Sequence, residues 1–123
     1  MNTPSKDPDR PDRIADVLRA PPRAVVEAWS AGDYALSAGV PMVDPPDAET
    51  ARRVREYIED YGQGLEALPE EAWSSSHSAW EGDHWMLHVD LWTKSGRSDM
   101  VLAARAREEG AGYRVNVMGV YVP

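Results

Sequence analysis

Between residues 84 and 122, apolar side chains recur at every second position in three runs separated by two turn signals. Strict alternation of this kind describes strands with one buried face, and the short connections make them antiparallel. Ser95-Gly96 reads as a two-residue hairpin turn. If Lys94 pairs with Arg97, then Leu91 meets Met100, Val89 meets Leu102, Leu87 meets Ala104 and Trp85 meets Ala106. A second loop, Glu109-Gly110-Ala111-Gly112, sets Glu108 opposite Tyr113, Ala106 opposite Val115, Ala104 opposite Val117, Leu102 opposite Gly119 and Met100 opposite Tyr121. One face of the meander is then apolar throughout. A slip of one residue would set those side chains against polar ones, so burial of that face selects the register.

An apolar sheet face needs a second layer, and only the helices upstream can supply it. Ile14, Val17 and Leu18 form a short amphipathic segment after Asp12, stopped by Pro21 and Pro22. Pro22 suits the first turn of a helix over Arg23 to Ala31, with Val25, Val26 and Trp29 on its apolar stripe and Gly32 after its end. Asp33 to Ala38 reads as one more helical turn, closed by Gly39. Pro41 to Pro46 is a rigid connector. The strongest helix runs from Asp47 to Tyr61, with Asp44 or Asp47 as cap, Ala51, Val54, Ile58 and Tyr61 on one side, and Gly62 as the stop. Residues 63 to 72 fit either a short strand carrying Leu65 and Leu68 or an irregular loop, with Pro69 to Ala72 beginning a helical turn. Trp73 to Trp80 reads as a serine-rich strand, and Trp73, Trp80 and Trp85 belong to the core. The expected fold is α+β, with N-terminal helices packed on one face of a curved antiparallel sheet of three to four strands. It forms a single domain over 13–123 after a polar, proline-rich tail, residues 1–12, expected to be disordered.

A chain of 123 residues is long enough for one such core. It has no cysteine, which excludes disulfides and thiolate chemistry. No signal-peptide core and no membrane-length apolar run is present, so a cytoplasmic location and no membrane partner are expected. The net charge of −8 argues against nucleic acid. Residues 41 to 73 hold nine Asp and Glu against three Arg, an acidic stretch suited to a solvated face or to a basic partner. The preference for Arg over Lys, with abundant Ala, suggests a GC-rich bacterial source.

The second face of the meander carries the candidate functional residues. Its apolar band comprises Met86, Trp92, Val101, Ala103, Met118 and Val120. Arg105, Arg107, Asp99, Arg114 and Asn116 rim it, together with His84, His88 and Asp90. Apolar bands with Trp, Met and Arg mark protein interfaces, so the expected partner is another protein chain, most simply a second copy. His88 and Asp90, two apart on one strand, point to the same side, and a carboxylate beside an imidazole is what a general base needs. They are the candidate catalytic pair under an alternative enzymatic reading. His77 could join them as a metal ligand only if the three converged; His84 lies too far along the strand. No dinucleotide, phosphate-loop, zinc or nucleophile-elbow motif occurs, and no metal or cofactor is expected.

The segments PMVDPPDAETARRVREYIEDYG (41–62), LPEEAW and HVDLWTKSGRSDMVL…YRVNVMGVYVP together resemble a small bacterial family of unknown function over residues 41 to 123. The resemblance implies no activity. The order of helices and curved sheet is also similar to cystatin-like α+β rolls, which include the ketosteroid-isomerase-like and polyketide-cyclase-like proteins and the nuclear transport factor. That likeness implies sheet-mediated dimers or, in the enzymes, a polar pair such as His88 and Asp90 beside a pocket for an apolar molecule. The leading expectation is a non-catalytic binding or scaffold protein, in the manner of an acidic, immunity-like partner of a toxin or a homodimer. A small isomerase-like enzyme or carrier is the alternative.

Overall fold

The computed structural model describes residues 3–123; Met1 and Asn2 of the expected tail lie outside it. The C-terminal strands are β4 (Trp85–Thr93), β5 (Gly96–Glu109) and β6 (Gly112–Tyr121), preceded by β1 (Val43–Asp44), β2 (Leu65–Glu66) and β3 (His77–Trp80). Together they form a six-stranded sheet in the order β1-β6-β5-β4-β2, with β3 also paired to β4. The sheet is larger than the alternation alone implies, and β1 runs parallel to β6. The short strands β1 to β3 hold too few residues to show a period, and β1 arises within the proline-rich stretch read as a connector.

Trp85 pairs with Ala106, Leu87 with Ala104 and Val89 with Leu102, and Ala106 and Ala104 pair with Val115 and Val117. Large residues on β4 thus face small ones on β5. Leu87, Val89, Leu91, Leu102 and Ala106 are sealed from solvent. The covering layer is α1 (Ala20–Ser30), α2 (Ala48–Tyr61) and α3 (Ala72–Ser75), with a 3-10 turn at Asp16–Leu18. Val25, Val26 and Trp29 of α1, Val54 and Ile58 of α2 and Trp73 of α3 enter the core with Ile14 and Leu18. Trp85 is buried with them, while Trp80 is half-buried at the core's edge.

Helix α1 begins earlier than the proline rule suggests, because Pro21 and Pro22 both sit in its first turn, where no N–H is required. In α2, the Asp47 carboxylate accepts from Thr50 N at 2.7 Å, and Gly62 ends the helix at φ 81°. Residues 33 to 38 are turns and not a helical segment: the Asp33 carboxylate accepts from Ser37 N and Ala38 N, taking the amides that would start a helix. The serine-rich run is a strand only from His77. Ser74 and Ser76 donate back to the carbonyls of Glu71 and Ala72, so the first half winds into α3. The segment 3–12 is tied to the sheet at two points, with Asp12 bridged to Ser78 and the Ser5 carbonyl accepting from Trp85 Nε1 at 2.8 Å.

Two irregularities alter the expected register. The β4–β5 turn is Lys94-Ser95, since Thr93 pairs with Gly96 and Trp92 with Arg97. Between there and the Asp90–Val101 pair, β4 advances through Leu91 alone while β5 passes through Ser98, Asp99 and Met100. Ser98 holds the bulge by donating to Leu91 O at 2.7 Å and accepting from Met100 N, and Asp99 N donates to Tyr61 of α2. Two extra residues leave every side chain on its expected face. The second irregularity adds one residue to β6: Ala104 pairs with Val117, but Ala103 pairs with Gly119, Leu102 with Val120 and Val101 with Tyr121. The expected pairs Leu102–Gly119 and Met100–Tyr121 do not form, and beyond Met118 the faces of β6 exchange.

Gly119 carries the bulge at φ 154°, where residues with a Cβ are rarely found, although no atom lies within 4 Å of where a Cβ would stand. Gly119→Val should therefore destabilise through backbone strain and not collision, by about 1–3 kcal/mol in denaturant unfolding. Leu87→Ala, which opens a cavity in the buried cluster, should cost about 3 kcal/mol in the same measurement.

Candidate functional site

The single-residue bulge redistributes the candidate residues. Val120 does not lie on the second face: it pairs with buried Leu102 and packs on the core beside α2. Tyr121 takes its place, and its hydroxyl shares a 2.9 Å hydrogen bond with His88 Nδ1. His77, opposite His88 on β3, stacks on that imidazole with centroids 4.8 Å apart. The second face is therefore centred on a His77–His88–Tyr121 aromatic row.

The expected apolar band is mostly covered. Val101 is buried and Met86, Trp92 and Ala103 are half-buried, with Trp92 packed at the core's edge. Of that band, only Met118 is a well-exposed large side chain. Asp90 accepts from the Ser75 hydroxyl of α3 and from Arg97 Nη2 at 3.1 Å; it anchors α3 and the hairpin to β4. Asp99 is exposed on the bulge of β5, beside Asp90, Arg97 and Val101 in a shallow open groove. Asn116 accepts from Arg107 Nη1 at 2.6 Å and donates to Asp44 at 2.9 Å, and Asp44 also pairs with Arg107 and Arg114. These contacts lock β1 onto β6. Arg105 stands exposed beside Arg107 and Asn116.

A different grouping forms along the outer edge of β6. β1 covers only Val115 and Asn116 of this strand. Past them, Met118, Gly119 and Val120 border a groove of about 440 Å³ whose other wall is α2, through Thr50, Arg53, Val54, Glu56, Tyr57 and Asp60. Among the described residues the exposed large hydrophobics are Met42, Tyr57, Met118 and Val122; Tyr57 and Met118 line this groove, while Met42 lies at the end of β6 that β1 covers and Val122 just past its other end. Met42 O accepts from Val115 N at 2.8 Å, while the Tyr57 hydroxyl accepts from Val122 N at 3.1 Å. Alternation places Met118 and Val122 on the second face, and Tyr57 falls on the polar side of its helix, so periodicity conceals the group. One signal was available: a glycine inside a strand, Gly119, marks a bulge.

Among the described residues, no group of three or more His, Asp or Glu side chains is placed to hold a metal ion, and no helix is long and apolar enough to cross a membrane. His88 bonds Tyr121 and Asp90 bonds Ser75 and Arg97, so each candidate catalytic residue has its own structural partner.

Burial, and after it the neighbouring His77, pushes the His88 pKa below 6.5, against a weaker upward pull from Glu81. His88 is thus favoured neutral in the fold and titrates normally once unfolded. Its stabilising contribution is complete above about pH 6.5 and is lost as pH falls through the depressed folded value. The thermal midpoint should fall between about pH 7 and pH 5, and His88→Gln should make that fall smaller in melts followed by circular dichroism.

No curated protein and no solved structure matches the chain. A family model, a domain of unknown function, matches residues 26–123, extending beyond the stretch where the family resemblance was read. That span takes in the second half of α1, all of α2 and α3 and the whole sheet, and the chain accordingly belongs to the DUF7668 family.

Proposed function

We propose that this chain is a non-catalytic protein-binding domain whose partner is a second copy of itself, joined along the open edge of β6. The observation that carries this reading is the pair of exposed apolar side chains, Tyr57 and Met118, on the walls of the groove beside that edge. Strand edges left open invite pairing, and proteins normally blunt them with charge or cover. Here two of the exposed side chains beside the edge, Tyr57 and Met118, are large and apolar.

The edge is also self-complementary. Two β6 strands meeting antiparallel about a two-fold axis would bring like surfaces together, each copy's Met118 covering the other's groove. The groove wall carries both signs of charge, Arg53 beside Glu56 and Asp60, so an inverted copy presents opposite charges to it. A basic partner of the immunity type has less support. The acid of α2 is partly spent within the helix: Glu49 pairs with Arg52 and Arg53, and Arg52 with Glu56 at 2.9 Å. The enzymatic alternative has less support, since Asp90 borders an open groove with Arg97 and Asp99.

Light scattering at about 10 μM should give twice the monomer mass, and Met118→Glu should return the monomer with an unchanged circular dichroism spectrum. A monomeric wild-type chain at about 100 μM would rule out the second copy as partner.

A further inference from the structure

At the other side of the sheet, where β3 rather than β6 forms the edge, a cation sits in an aromatic corner. Trp80 and Trp85 are cross-strand partners, with ring centroids 4.7 Å apart and planes tilted by 55°. Tyr113 meets Trp85 edge-on at 5.8 Å. Into this corner reaches Lys6, its Nζ 5.1 Å from the Trp80 centroid and 5.8 Å from that of Trp85. Glu108, the cross-strand partner of Tyr113, closes the fourth side with Oε1 at 2.8 Å from the ammonium. Two indole faces and a carboxylate around one ammonium are the parts of an aromatic cage for cations.

Walls and occupant differ in how they are held. The walls are residues of paired strands. The cation comes from a segment tied to the sheet at Ser5 and Asp12, with the hydrogen bonds of Asp9 and Arg10 in between made to their own neighbour Asp7. Such a segment opens more readily than the sheet under it. The spacing is also informative. Direct van der Waals contact with a ring lies at roughly 3.5–4 Å. The Lys6 nitrogen stands about 1.5 Å beyond that distance from Trp80, close to the length of an N–C bond. A methyl group on the nitrogen would fill that gap and touch the indole.

We propose that Trp80, Trp85 and Glu108 form a binding site for an N-methylated ammonium group, which Lys6 occupies in cis when no such ligand is bound. The ligand is a quaternary amine, either free or carried on a methylated lysine side chain. The site is independent of the β6 edge, and dimerisation plays no part in it.

The test titrates the full chain with tetramethylammonium chloride, and separately with a short peptide bearing trimethyllysine, against sodium chloride at equal ionic strength. The indole N–H resonances of Trp80 and Trp85 are the readout. Lys6→Ala should bind at least about tenfold more tightly than wild type, because the competing ammonium is gone. Adding Trp80→Leu should abolish that binding, and adding Glu108→Gln should weaken it severalfold. A response of Lys6→Ala to the salt identifies a free small amine as sufficient; a response to the peptide alone identifies a methylated lysine. The proposal is overturned if Lys6→Ala, with its fold intact, responds to neither probe, or titrates like wild type, or keeps its affinity when Trp80 and Glu108 are changed.

Discussion

The pairing of large side chains on β4 with small ones on β5 underlies most of what this domain does. Trp85 pairs with Ala106 and Leu87 with Ala104, and all four are buried in one cluster with Trp29 of α1 and Trp73 of α3. Leucines at 104 and 106 would preserve hydrophobicity and alternation, but they would lift the helices off the sheet. Complementarity of volume, over and above pattern, is what allows one layer of short helices to seal this core.

Against that constant inner face, the two irregularities in the sheet act differently because of parity. The bulge at Ser98–Met100 adds an even number of residues and changes only the course of the chain. The bulge at Met118 adds one, so Val120 goes to the core and Tyr121 emerges beside His88. The same residue, displaced out of the ladder, stands at the edge between two grooves. One unpaired residue thus shapes both surfaces discussed above: the aromatic row on the sheet and the apolar group on its rim.

The elements legible in the sequence were those with a period or a cap. Helix α2 declared itself through Asp47, its apolar stripe and Gly62, and the pairing of β4 with β5 through the demand for a buried face. What escaped was decided by single side chains. Ser74 and Ser76 turned half of a strand into helix, Asp33 unwound a helical turn, and Thr93 and Ser98 moved a hairpin by one residue without exchanging its faces. Of the candidate site, His88, Asp90 and Asn116 were found, but their partners Tyr121, Ser75 and Asp44 lie on other elements, and no spacing along the chain announces them. The exposed pair Tyr57 and Met118 comes from a helix and a strand some sixty residues apart and meets only in the folded chain.

The parallel pairing of β1 with β6 has a consequence for the order of events in folding. Val43 pairs with a strand some seventy residues further on, and α2 packs chiefly on that same strand, whereas α1 meets β2. Helix α2 precedes β6 in the chain, so it lacks its main strand partner until β6 is present. Loop closure over that distance comes before any reward from contact. The nascent chain therefore carries α2 with its apolar stripe uncovered, and the step that covers it is the arrival of β6.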